Sequence, residues 1–443
     1  VNRRFGEYTG HLDRDPIVSL VNDEARSYLT RARETCDIVQ LTFIDTWAAT
    51  AAGAYVLTEN TLYTVEGWTV FLNRLDPDGV LAVARGVSPE MGRLVALGRE
   101  ALLASGVAEP ERHMAMVVNH RARAPHSFGP MAVLLVRKTP FPAAELAQMR
   151  AAAARLQFDV ELQPGRGLPF FAALAAGRPI EAVRPDDGLV YDAPTDDRPF
   201  FFNMQRVGTD AMLYGAHNPV GLLMNLAVGV FALTLVCIIV PLVLARTRLG
   251  RGDAALLGYF AAIGVGFMLI EISLLQRLVV FLGHPAYSLS VILFVLLLAG
   301  GVGSAVSTRL PPERLALFGP RVLAGVTVIL ALLGALMPLI VGAFQAASTP
   351  ARIAVSAAAL ALMGVAMGTA FPLGMRLAMA TRPALGPWLW GINGATSVLA
   401  SVAAIVIATA YGISASFWSG VACYVLALAA FIRAATPLRA GRS

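Results

Sequence analysis

Two hydrophobic rhythms divide the chain. Up to about residue 217, short β-rich apolar runs alternate with segments of helical period. From Val220 onward, apolar stretches of about 20 residues follow one another with short Arg-bearing loops between them. The boundary falls near Asn218.

In the first part PIVSLV (16–21), DIVQLTFI (37–44) and GVLAVAR (79–85) read as strands. The helix-period segments EARSYLTRARE (24–34), about Thr61 to Leu75, and MGRLVALGREALLASG (91–106) alternate with them. Such alternation predicts an α/β domain with a parallel sheet and crossover helices. Two further strands, HMAMVVNH (113–120) and MAVLLVRK (131–138), are separated by about ten residues, too few for a crossover helix, so they should pair antiparallel. Nucleotide-binding sheets of this kind open with a strand, a Gly-rich turn and a helix N-terminus; no GxGxxG turn precedes PIVSLV. From Pro164 to Asn218 the pattern breaks, and TDDRPFFFNM (195–204) places three Phe after a proline. Phe200 to Phe202 should dock this stretch on the soluble part or at the membrane interface, with Asp196, Asp197 and Arg198 pairing nearby.

The second part predicts seven spanning helices, about 220–245, 254–281, 286–307, 321–344, 352–379, 388–410 and 414–433. Gly300, Gly301, Gly303 and the Gly364–Gly368 spacing predict close helix packing. The second and third spans carry Glu271, Gln276, Arg277 and His284. An intramembrane carboxylate is expensive and marks a functional site or a buried structural hydrogen bond. Glu271 and Arg277 are six apart, about 120° round a helix, so they cannot pair on one face. Candidate partners are His284, Arg376 and Asn393, while Trp388 and Trp390 read as an interface anchor.

Composition agrees: 56% hydrophobic and 14% charged residues describe a multi-pass membrane protein, here assigned to the cell membrane. The net charge of +6 sits largely in the short loops, which reads as topology and not as a nucleic-acid footprint. With seven spans the Arg-rich loops fall on one side and the soluble part on the other, and the charge rule by itself places the soluble part outside. Three scattered cysteines, Cys36, Cys237 and Cys423, indicate neither a disulfide framework nor a metal cluster.

The strings NDEARSYL (22–29), CDIVQLTFID (36–45), LYTVEGW (62–68) and DPDGVLAVAR (76–85) resemble the spermidine synthase family, aminopropyltransferases on the methyltransferase version of the Rossmann fold. DDRPFFF, GHPAYSLS (283–290), FPLGMRLA (371–378) and PWLWGINGATSVLAS (387–401) resemble bacterial proteins described as fused major facilitator and spermidine synthase. The resemblance implies a partial Rossmann-like domain over 1–163, a linker over 164–217, a bundle of about seven helices over 218–434 and a basic tail over 435–443, with an upstream segment of a longer parent chain. It also implies aminopropyl transfer from decarboxylated S-adenosylmethionine to a polyamine or other small amine, without metal. Such a donor is cytosolic and would require the reverse of the topology that the charge rule gives, so both topologies stay open.

Carried over by residue, Glu24 or Asp23 holds the adenine amino group and Asp45 holds and deprotonates the amine. Thr42 stands where the family has its usual catalytic base, and Tyr63, Glu66 and Trp68 are candidates for lining the crevice. A hydroxyl cannot take a proton from an ammonium at neutral pH, so only Asp45 remains as base. The residues themselves leave alternatives open. Glu24 could be an acidic first turn on a helix, Tyr63 and Trp68 could be buried against a sheet, and the whole could be a transporter or scaffold with a degenerate, non-catalytic transferase domain.

Overall fold

The computed structural model describes residues 6–44, 60–120, 129–181, 183, 187–205, 219–241, 252–283 and 285–440. Helix α1 (Ala25–Arg31) precedes β1 (Cys36–Thr42), and α2 (Val65–Asn73) connects β1 to β2 (Leu75–Gly86). After α3 (Glu90–Ala104) come β3 (Met114–Asn119), β4 (Met131–Val136), α4 (Ala143–Leu156), β5 (Asp159–Gln163), β6 (Arg166–Gly167) and α5 (Pro169–Ala176).

The six strands form one sheet in the order β1-β2-β4-β3-β5-β6. Only β1 and β2 run parallel, joined by the crossover helix α2. The β3–β4 pair is antiparallel as its short connection requires, and β4 inserts beside β2, so that every other pairing is antiparallel. The sheet is therefore mixed: the parallel part is confined, among the described residues, to β1 and β2, and the expected antiparallel pair is present. Trp68, Phe71 and Leu72 of α2 pack with Leu94 and Leu97 of α3 against Met114, Leu134 and Val136, making a core from which water is excluded.

PIVSLV does not form a strand. Pro16 has no N–H to give a ladder, the Asp15 carboxylate accepts from the Ile17 N–H, and the Asp15 carbonyl accepts from Val18, which closes a turn. Ile17, Leu20 and Val21 remain exposed, and β1 is left as the sheet edge with Ile38 63% exposed.

Among the described residues six helices, not the seven expected, are long and apolar enough to cross a membrane. Naming the helices in order, α6 (Pro219–Thr234) runs into a π turn, Leu235–Ile239, and its apolar stretch is shorter than the others. Then come α7 (Asp253–Leu282), α8 (Pro285–Ser307), α9 (Leu315–Phe344), α10 (Thr349–Gly368), α11 (Ala370–Thr381), α12 (Gly386–Tyr411) and α13 (Ile413–Ala440). α10 and α11 form one span, and α13 continues through most of the expected basic tail.

α7 lies at the centre, packed along α12 and α13. α8 and α10 meet backbone to backbone: a side chain at Gly303 would overlap the Val365 carbonyl, and one at Gly368 would overlap Gly300. The glycine spacing thus does what it predicts.

The sheet domain sits on the end of the bundle formed by the C-terminus of α7 and the N-termini of α10 and α13. Arg309, Arg314, Arg376, Arg382 and Arg433 lie towards the opposite end, where Arg376 caps the α8 C-terminus and Arg382 pairs with the buried Asp253.

Candidate functional site

The stretch after α5 is no free tether. It folds back over the sheet, with Val190 N–H donating to the Met204 carbonyl at 2.6 Å. Arg93, near the start of α3, organises the fold-back by donating to the carbonyls of Asp192, Phe200, Phe201 and Asn203 at 2.6–3.1 Å. Burial, with Arg198 nearby, lowers its pKa to about 10.

Phe201 stacks on Tyr63 with ring centroids 4.4 Å apart, and Phe202 meets Phe201 edge-on. Arg85, next to last in β2, donates to the Tyr63 hydroxyl at 3.1 Å and lies 4.9 Å from the Phe202 ring centre. The carboxyl end of β2, the side on which open α/β sheets bind ligands, is covered by the chain's own aromatic rings.

The two consecutive acids of the DDRPFFF string face opposite ways. Asp196 accepts a two-pronged pair from Arg26 of α1 at 2.7 and 2.6 Å and a third bond from the Thr64 hydroxyl at 2.8 Å. Its own N–H donates to Glu66 at 2.9 Å. Burial alone would lower the Arg26 pKa, but Asp196 outweighs it and the net shift is upward. Asp197 turns to the membrane half and caps α13, accepting from the Ser414 N–H at 2.8 Å and the Ser414 hydroxyl at 2.6 Å. Its carbonyl accepts from Ile413, and Phe200 packs between Ala408 and Ile413. Arg277 of α7 donates to the same Ser414 hydroxyl at 2.7 Å and lies over the Phe417 ring, so it is anchored at the junction rather than reaching for solvent. Arg352 of α10, 1% exposed, donates to Ser27 Oγ at 2.6 Å and to the Phe281 carbonyl at 2.8 Å, joining α1 to the end of α7.

Against this geometry the sequence candidates fall into three groups. Asp45 and His284 lie outside the described residues. Glu24 is the N-cap of α1, its carboxylate accepting from the N–H groups of Arg26 and Ser27, and its side chain rests against Gly283. Asp23 pairs with Arg31, and Thr42 accepts from Gln40 on the exposed edge strand. Tyr63 and Trp68 are wholly buried in the core, the Trp68 ring N–H donating to the Leu62 carbonyl at 3.1 Å, which leaves neither ring a face towards a crevice.

In the bundle, none of the expected described partners reaches Glu271. Arg376 donates to the Ser307 and Leu310 carbonyls, which sit at a helix end where carbonyls need partners, and Asn393 donates to the Phe260 carbonyl at 3.0 Å. Glu271 is half-buried and has no hydrogen-bond or ion-pair partner among the described residues. It stands seven residues beyond Gly264, which packs on Asn393 and Thr396, so it lies near the α12-facing side of α7.

Sequence reasoning missed Arg26 and Arg93, which fasten the DDRPFFF stretch to the sheet domain, and Arg352, which bonds across to Ser27. Their signal was available only in part, as the two acids and three aromatics of an unusual string. The chain matches no family model and no curated protein.

Proposed function

We propose that the chain is a membrane-bound, spermidine synthase-like protein whose sheet domain is a non-catalytic cap, and whose bundle handles a small organic cation such as a polyamine, with Glu271 as its counter-charge. The observation that supports this reading most is that Tyr63, Phe201, Phe202 and Arg85 pack on one another at the carboxyl end of β2, the side on which open α/β sheets bind ligands. The rest agrees with it. Glu24 is committed to capping, Thr42 has no acidity to lend, and Glu271 is a carboxylate without a partner among the described residues within an apolar helix.

Aminopropyl transfer is the second reading, favoured by Asp45, which follows the end of β1 by three residues and stays the sole candidate base. The discriminating experiment is a thermal shift on the full-length protein in detergent with decarboxylated S-adenosylmethionine or methylthioadenosine, beside spermidine uptake into proteoliposomes. The expected outcome is no nucleoside shift, and spermidine uptake that disappears in Glu271→Gln. Stabilisation by either nucleoside that is lost in Asp45→Asn would overturn the proposal in favour of transfer.

A further inference from the structure

We propose that a small monovalent anion, chloride or its chemical equivalent, binds at the junction of sheet domain and bundle between Arg26 and Arg352. The two guanidinium groups come from different halves of the molecule, and they are 4% and 1% exposed. Both line a partly open space of about 20 Å³, together with Ser27, Thr30, Asp196 and Phe281. A space of that size takes one water molecule or one monoatomic ion.

The hydrogen-bond inventory points into this space. A guanidinium offers five donors. Those on the two terminal nitrogens of Arg26 go to Asp196, Thr61 and Thr64, and those of Arg352 go to Ser27, Phe281 and Thr349. The Nε atom of each side chain is buried without a partner among the described residues. Buried donors of this kind are normally satisfied.

The charge inventory selects an anion over a cation. Asp196 neutralises Arg26, while the three partners of Arg352 are all uncharged. Among the described residues no carboxylate lies within ion-pair distance of Arg352; Glu24 and Asp23 act on it from farther away, and Arg31 opposes them. Two positive charges and one negative charge therefore border the space. Glu66 and Glu24 also act on Arg26 from farther away. A water would satisfy the Nε donors, whereas a halide would in addition give Arg352 an anionic partner in contact, which none of Ser27, Phe281 and Thr349 is. Asp196 already gives three of its four lone-pair positions to Arg26 and Thr64. The anion would touch both halves at once, so it would act as a clasp for docking, independently of what the bundle carries.

The test uses the full-length protein in detergent with bromide as the probe. Crystals grown in bromide should give an anomalous peak between the Arg26 and Arg352 Nε atoms. The unfolding midpoint should rise saturably in chloride or bromide relative to gluconate, which is too large to enter, at equal ionic strength. Arg352→Gln should abolish that rise. As a control against loss of folding, Val341→Leu, which adds carbon to the lining of the same space and touches no charge, should abolish it too. Water density alone at the site, or a halide response unchanged in Val341→Leu, would overturn the proposal.

Discussion

At the scale of single residues, Asp196 is the most exacting position in the molecule. Removing its charge leaves Arg26, whose side chain is 5% exposed, without a counter-ion, while Asp196 itself is 29% exposed. Asp196→Asn should therefore destabilise by about 2–3 kcal/mol, at or below the low end for breaking a buried pair, and thermal unfolding of the full-length protein checks this. His113 gives a pH signature. It is 6% exposed, its Nδ1–H donates to the Arg137 carbonyl, and burial lowers its pKa. The unfolded chain takes up a proton near pH 6.5 that the folded chain resists, so stability should fall as pH drops through that region and be fully present above it. The slope is at most about 1.4 kcal/mol per pH unit, and His113→Asn should flatten the dependence of the unfolding midpoint. Glu24 illustrates what the sequence could not convey at this scale. An acid at a helix start and an acid awaiting an adenine are the same letter, and only the fold reveals that this carboxylate caps α1 and packs on Gly283.

At the scale of elements, the glycines of the bundle were legible and the first strand was not. GxxxG spacing reports a property of one helix face, and α8 meets α10 through it. Gly368→Val should push these two helices apart, costing about 1–3 kcal/mol, as a lowered unfolding midpoint in detergent would show. PIVSLV fails for the opposite reason. An apolar run becomes a strand only beside another strand, and the turn at Asp15–Val18 takes the hydrogen bonds first. The antiparallel β3–β4 hairpin was readable because chain length alone forbade any other connection. That β4 would lie beside β2 was not, since both are apolar runs with no mark of order.

At the scale of the whole molecule, the separation of charge is the feature with the widest reach. The sheet domain sits at one end of the bundle and the Arg-bearing loops at the other, so the charge rule puts the sheet domain on the extracytoplasmic side. In a background with Cys36, Cys237 and Cys423 replaced by Ser, a membrane-impermeant maleimide should label Asp13→Cys on intact cells, and Arg314→Cys only after permeabilisation. The reverse pattern would return the sheet domain to a compartment where a cytosolic nucleoside donor is available. The division into soluble and membrane parts was plain from hydropathy, but the way they meet was not, because its bonds, Asp197 with Ser414 and Arg352 with Ser27, join residues far apart in the chain.

The neighbouring placement of Asp196 and Asp197 has a practical corollary. With one peptide unit gripping α1 and the next gripping α13, there is no position at which scissors could part the two halves cleanly. A truncated sheet domain would carry Phe200 bare into solvent, and a truncated bundle would begin α13 with nothing to receive its first N–H groups. Expressed separately, each half would carry the other's wound, and the pair would be expected to unfold together in a single step.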